Sequence, residues 1–211
     1  MPWYISLTMR WAADVEGESL QFLNLCEKTP IPSDQIRIPQ ISWHSTLFAV
    51  AEVRRVIKPK KTMHDSALLV LEQLRAQNIV SSLANLPKFR FHPEQIRHWD
   101  DGTAVQFKAD NSLEQLRSAV EAVVSQYRLS LDVDDVRFPF NGGPKNAGNG
   151  LWGSIARTPN FAGKNDLRHE VEITGDFREW CFTARKAILT ISDEALTNNL
   201  TTSDYDSIVL I

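Results

Sequence analysis

The first stretch of the chain alternates: in Trp3-Tyr4-Ile5-Ser6-Leu7-Thr8-Met9 every second side chain is strongly apolar, the period-2 pattern of a half-buried strand. From Ser19 to Glu27 the spacing becomes helical through Leu20, Leu23 and Cys26. Pro30, Pro32 and Pro39 break the connection that follows. Next comes Ile41-Ser42-Trp43-His44-Ser45-Thr46-Leu47-Phe48, an apolar, β-branched and aromatic run that reads as a short strand. On such a strand His44 and Thr46 project to one face, and Trp43, Ser45 and Leu47 to the other. Leu68, Leu71 and Leu74 predict a helix over Asp65 to Leu83. Lys88 to Trp99 and Thr103 to Ala109 flank Asp100-Asp101-Gly102, a strong hairpin signal. Ser112 and Gln115 fit a capping box ahead of Leu113, Leu116, Val120, Val124 and Tyr127 at helical spacing. Strands are expected again at Leu151 to Arg157, His169 to Thr174, Phe182 to Ile191 and Ser207 to Ile211.

Strands and helices mix without regular βαβ alternation, which predicts an α+β fold with antiparallel sheets. At 211 residues, 43% hydrophobic and 23% charged, the composition is that of a globular chain able to bury one sizeable core. The reading is one two-lobed domain over 1–211. A formal net charge of -3 and a pI near 6.0 leave no global basic field for a long duplex, so any nucleic-acid partner is expected to be short and held in a pocket. No basic leader precedes an apolar run and no stretch suits a membrane span, which places the chain in the cytoplasm without a membrane partner. Two isolated cysteines, Cys26 and Cys181, suggest neither a disulfide framework nor a zinc site. The basic run from Arg54 to Lys61 reads as a solvated loop. The glycines between Asn141 and Gly150 lack a following Gly-Lys-Ser/Thr and so form no nucleoside-triphosphate loop. Asp132, Asp134 and Asp135 lack the spacing of a calcium loop.

The arrangement resembles the two-histidine phosphoesterase superfamily, which includes RNA 2',5'-ligase-like proteins and 2',3'-cyclic phosphodiesterases. Trp43-His44-Ser45-Thr46-Leu47 is similar to the first motif of that family. Leu151-Trp152-Gly153-Ser154-Ile155-Ala156-Arg157 is similar to the second, including its hydrophobic-Ala-Arg ending. The resemblance implies two pseudo-symmetric lobes of antiparallel sheet with outer helices around a central cleft, the motif strands lying near 41–50 and 151–157. Where the family has its second histidine this chain has Trp152. A register shifted by one would set Gly153 against His44 and Ile155 against Thr46; the first is preferred because it pairs Thr46 with Ser154.

What the resemblance implies chemically is a phosphoesterase acting on 2',3'-cyclic phosphates or 2',5'-linked nucleotide or RNA phosphodiesters. His44 is the surviving general acid or base, with Thr46 and Ser154 donating hydrogen bonds to phosphoryl oxygens. Trp152, Arg157 and Tyr4 are the expected substrate contacts, although strict alternation sets Arg157 on the face opposite Ser154. Neither a metal nor another cofactor is called for, and the expected partner is a small nucleotide or RNA end. His64, His92, His98 and His169 are the candidates to replace the missing imidazole. An indole cannot move a proton near neutral pH, but its face can stack on a base. The alternative is therefore a catalytically degenerate module that binds a nucleotide or phosphate ligand, and a third possibility is a scaffold with a blocked cleft.

Overall fold

A computed structural model describes residues 2–17, 19–132, 134–140, 150–159, 166–172, 180–193 and 205–211. In chain order its first half contains β1 (Trp3–Arg10), β2 (Val15–Glu16), α1 (Ser19–Lys28), β3 (Ile36–Arg37), β4 (His44–Val53), α2 (Met63–Ala76) and the short α3 (Ile79–Ser82). The second half contains β5 (Phe89–Trp99), β6 (Gly102–Ala109), α4 (Asn111–Val124), β7 (Val136–Arg137), β8 (Gly150–Arg157), β9 (Leu167–Glu172), β10 (Phe182–Ala184), β11 (Lys186–Asp193) and β12 (Tyr205–Val209). The strands form two antiparallel sheets, β12-β11-β1-β4-β7 and β2-β10-β5-β6-β8-β3, with β9 also paired to β5. This is the expected α+β architecture.

The alternation of β1 explains its central place. Ile5, Leu7 and Met9 are fully buried on one face, where α2 packs against β1 and β11. The other face carries Tyr4, Ser6, Thr8 and Arg10. Helix α4 touches both β4 and β5, so it straddles the two sheets. Beneath that seam lies an aromatic cluster in which the Trp11 ring meets Trp43, Phe22 and Phe107 at centroid separations of 5.9, 5.6 and 5.1 Å. Apolar burial of this kind contributes about 25 cal/mol per Å², and one continuous core serves both sheets.

Several boundaries differ from the expectations, each for a local reason. The strand expected from Ile41 begins at His44, because Pro39 leads into a single 3-10 turn over Gln40–Ser42. The helix expected to run to Leu83 ends at Ala76, where Asn78 takes a left-handed conformation (φ 64°), a cost asparagine bears better than most residues. Its start is capped by Thr62, whose hydroxyl accepts from the Asp65 amide. Asp110 caps α4 rather than Ser112, accepting from the Ser112 amide with one oxygen and from the Arg90 amide with the other. A single acid thus ends a hairpin strand and starts a helix. The run from Phe182 to Ile191 is two strands in different sheets, β10 and β11. The Arg185 and Lys186 amides both donate to the Asp14 carbonyl at the crossing, and the Asp14 carboxylate is itself held by Arg10 at 2.8 and 2.9 Å. The Gly/Asn-rich loop 141–149 and the end of the strand expected to reach Thr174 lie outside the described residues.

The sheets come closest where β8 passes β4. A Cβ placed on Gly153 would stand 1.9 Å from Trp11 Cζ2 and 2.7 Å from the His44 carbonyl oxygen, so the approach requires a residue with no side chain. Gly153→Ala is expected to destabilise the protein by about 1 to 3 kcal/mol through overpacking. Chemical denaturation checks this, with a lowered midpoint at unchanged slope as the expected result.

Candidate functional site

His44 is delivered by the 3-10 turn. Its Nδ1 lies 2.7 Å from the Ser42 carbonyl oxygen; a carbonyl can only accept, so Nδ1 carries the proton and the lone pair of the neutral ring resides on Nε2. The backbone has thereby chosen the tautomer of a general base. Beyond His44, β4 is bulged twice against β1: Thr46 pairs with Thr8 but Phe48 with Leu7, and Ala49 pairs with Ser6 but Ala51 with Ile5. Leu47 and Val50 are the extra residues, so their carbonyls fall out of the ladder. Both find other donors. Phe140 N bonds the Val50 oxygen at 2.9 Å, and Arg117 Nε bonds the Leu47 oxygen at 3.0 Å.

Arg117 does more than cap a bulge. It comes from α4, is 3% exposed, and its Nη2 also donates to the Gly150 carbonyl at the start of β8, 3.0 Å away. Burial pushes the guanidinium pKa down, opposed by Glu114. One buried cation therefore ties the two motif strands together.

On β8 the side chains of Trp152 and Ser154 share a face, since they pair in register with Gln106 and Ala104. Gly153 and Ile155 point into the core, so the shifted register would bury its partners for His44 and Thr46. A second irregularity corrects the placement of Arg157. Thr103 pairs with Ala156 but Ala104 with Ser154, which makes Ile155 a bulge and leaves both Ile155 and Ala156 buried. Arg157 then pairs with Gly102 and returns to the face of Ser154. Its Nη1 meets Asp101 at 3.1 Å, which holds it at the hairpin end of that face.

The two motif strands pass each other at one indole. Trp11 Nε1 donates to Ser45 Oγ at 3.0 Å, and Gly153 lies against the same ring. The His44 oxygen is beside Gly153 while Arg117 joins Leu47 to Gly150, so the strands run past each other in opposite directions. Because Ser45 and Gly153 both face Trp11, their neighbours His44, Thr46, Trp152 and Ser154 project away from it. All four are half-buried or exposed. Tyr4 shares the face of Thr8 and Arg10, which pair with Thr46 and His44, but it pairs with Glu52 about 20 Å along the strand from His44, so it is not brought to the others. The same face carries a row of buried hydroxyls: Ser6, Thr8, Thr190 and Ser192.

Sequence reasoning missed several neighbours of the site. Arg10 lies across from His44, with its guanidinium over the Tyr205 ring at 5.3 Å. Arg97 and Trp99 stand beside Trp152, with the Arg97 guanidinium 5.2 Å from the Trp152 centroid. Strand alternation marks Arg97 and Trp99 as one face of β5, but only the β5-β6-β8 order brings that face to Trp152.

The structure brings none of the other histidines to Trp152. His98 is turned inward, with Nδ1 2.8 Å from Thr103 Oγ1; burial, aided by stacked His169, lowers its pKa. His169 pairs with His98 on that face. His64 lies at the start of α2, edge-on to Trp3. His92 shares the Trp152 face but sits on β5, two strands or about 10 Å across. The basic run after β4 is at the far end of a ten-residue strand, about 30 Å from His44, and Arg54 there pairs with Glu52. Among the described residues no group of three His, Cys, Asp or Glu is placed to hold a metal, and no helix is long and apolar enough to cross a membrane.

Neither protein-family models nor curated proteins match the sequence. Among solved structures, the chain is similar to a phosphoesterase, at 12% identity and a TM-score of 0.44 over 100% of this chain and 97% of the other. It is also similar to TT0787 of Thermus thermophilus, at 12% identity and a TM-score of 0.41 over 99% and 94%. The site rests on its own geometry.

Thr8 Oγ1 is buried and has no hydrogen-bond partner among the described residues. An unsatisfied buried hydroxyl costs about 1 to 3 kcal/mol. Thr8→Val keeps the shape and removes the polar atom, so stability is expected to rise by about 1 kcal/mol. Urea denaturation of the two proteins measures it, and a fall in stability would show that the hydroxyl is satisfied.

Proposed function

We propose that the chain is a phosphoesterase-type protein acting on 2',3'-cyclic phosphates or 2',5'-linked nucleotide and RNA-end phosphodiesters. The observation that carries this reading is the 2.7 Å contact between His44 Nδ1 and the Ser42 carbonyl oxygen, which assigns the Nδ1–H tautomer. In this reading the imidazole, with its neutral lone pair on Nε2, is the base, and the hydroxyls of Thr46 on the same strand face and of Ser154 on the neighbouring motif strand are the donors to phosphoryl oxygens. In hydrolysis of a cyclic phosphate, Nε2 takes the proton of the attacking water as its oxygen bonds to phosphorus, and the bond from phosphorus to one ribose oxygen breaks. Thr46 and Ser154 donate to the non-bridging oxygens as charge accumulates there.

The leaving ribose oxygen needs a proton, and Trp152 stands where a second imidazole would supply it. A positioned acid is worth roughly 10²- to 10⁴-fold, so turnover by this chain is slow, with the proton coming from solvent. The indole favours a second reading on its own account: exposed at 38% and unable to titrate, it suits ligand capture without chemistry.

The experiment is to incubate wild type, His44→Ala and Trp152→His with 2',3'-cyclic nucleotides and 2',5'-linked dinucleotides, resolving products by chromatography and measuring binding on the same samples. The expected outcome is slow turnover by wild type, a loss of about 10²-fold or more in His44→Ala and a gain of similar size in Trp152→His. Saturable binding with no product from any of the three makes the protein a capture module. Absence of both binding and turnover removes the phosphoesterase reading.

A further inference from the structure

The face of the second sheet beside Trp152 carries an aromatic wall. Across β5, β6 and β8 the register aligns two rows: Arg97 with Ala104 and Ser154, and Gln95 with Gln106 and Trp152. Ala104 is the small residue in the first row, so the long Arg97 side chain reaches over it toward the motif strand. There its guanidinium lies 5.2 Å from the Trp152 ring centroid and 5.9 Å from that of Trp99. The two indoles are set edge to face, 6.5 Å apart. Arg97 is held in place from the other side by Glu170 of β9, Nε to Oε1 2.7 Å. The result is a planar cation wedged between two indoles and fixed by a carboxylate, with Trp152 still 38% exposed.

We propose that Trp152, Arg97 and Trp99 form a stacking platform for the nucleobase of a nucleotide whose phosphate lies at His44, Thr46 and Ser154. This rests on the function proposed above and adds what that reading leaves open: the ligand carries a base, and the base is held by its π-face. Three features favour a base over other occupants. The wall continues directly from the phosphate-facing residues, since Trp152 and Ser154 are two apart on one strand face. Its elements are two indole rings and a guanidinium plane, the groups on which bases stack. The amides nearest to it are already engaged, the Gln95 oxygen accepting from Arg97 Nη2 and Nε at 2.6 and 2.7 Å and Gln106 Nε2 donating to Glu94, which leaves stacking rather than edge readout to hold the base. Recognition is therefore tolerant of base identity. Stacking places no full charge of the ligand on the wall, so its contribution depends less on salt than a phosphate contact does.

Product nucleotides, which undergo no turnover, separate the phosphate from the base. Binding of adenosine 2'-phosphate, uridine 2'-phosphate and base-free ribose 2-phosphate is measured by calorimetry on wild type, Trp99→Ala and Trp99→Phe at two salt concentrations. Both nucleotides are expected to bind wild type roughly 5- to 150-fold more tightly than ribose 2-phosphate. Trp99→Ala reduces that advantage at both salt concentrations without changing ribose 2-phosphate affinity, and Trp99→Phe restores most of it. Equal affinity of the three ligands for wild type, or a Trp99→Ala protein that keeps the full nucleotide advantage or weakens all three ligands alike, overturns the platform and leaves the phosphate site standing. Failure of wild type to bind any of the three overturns the phosphate site and the platform together.

Discussion

The buried guanidinium of Arg117 is the interaction on which the rest of the site depends. A cation taken out of water costs several kcal/mol unless its donors are satisfied, and here two of them go to carbonyls that secondary structure leaves over: Leu47, displaced by a bulge, and Gly150, at the start of its strand. The bulge needs a donor and the cation needs acceptors, so each defect removes the cost of the other. The consequence is positional. Leu47 follows Thr46 directly, Gly150 precedes Trp152 by two residues, and α4, which carries Arg117, packs on both β4 and β5. The groups that would face a ligand are thus referenced to a single rigid side chain.

The same seam explains the small residues of the second motif. Trp11 occupies the space between the sheets, bonded to Ser45 and pressed against Gly153. An indole there packs tilted against Trp43 and Phe22 and edge-on to Phe107, and binds the two cores into one. It leaves no volume for a Cβ at position 153, and by filling the inner side it obliges residues 44, 46, 152 and 154 to present outward. Packing on one face of these strands sets the chemistry on the other.

The fold was largely legible in the sequence because its strands alternate and its helices are periodic. The period-2 run of β1, the Asp-Gly turn between β5 and β6 and the apolar stripe of α4 are local signals, and each marks a real element. What stayed hidden is non-local. Within Phe182 to Ile191 only the charged pair Arg185-Lys186 interrupts the strand-like run, and such a pair does not announce a change of sheet, because the crossing depends on an Asp14 carbonyl far away in sequence. Bulges are similarly silent. Strict alternation misplaced Arg157 because one extra residue at Ile155 inverts the face of everything after it. The histidine and hydroxyls of the site were readable as a motif, whereas Arg97, Trp99 and Arg117 became visible only once strand order and helix packing had brought them to it.

The indole at position 152 decides what the second half of the site is suited to do. An imidazole earns its place by exchanging a proton near neutral pH and needs only a narrow opening to one oxygen. An indole offers no such exchange, but it presents a broad apolar face whose exposure is costly unless something covers it. Arg97 covers part of that face and is itself fixed by Glu170, so the surroundings of Trp152 are arranged for stacking and not for proton transfer. The two motif strands are then unequal by construction. The first carries an imidazole whose tautomer the backbone sets, and the second presents an indole and a guanidinium suited to holding a flat ligand.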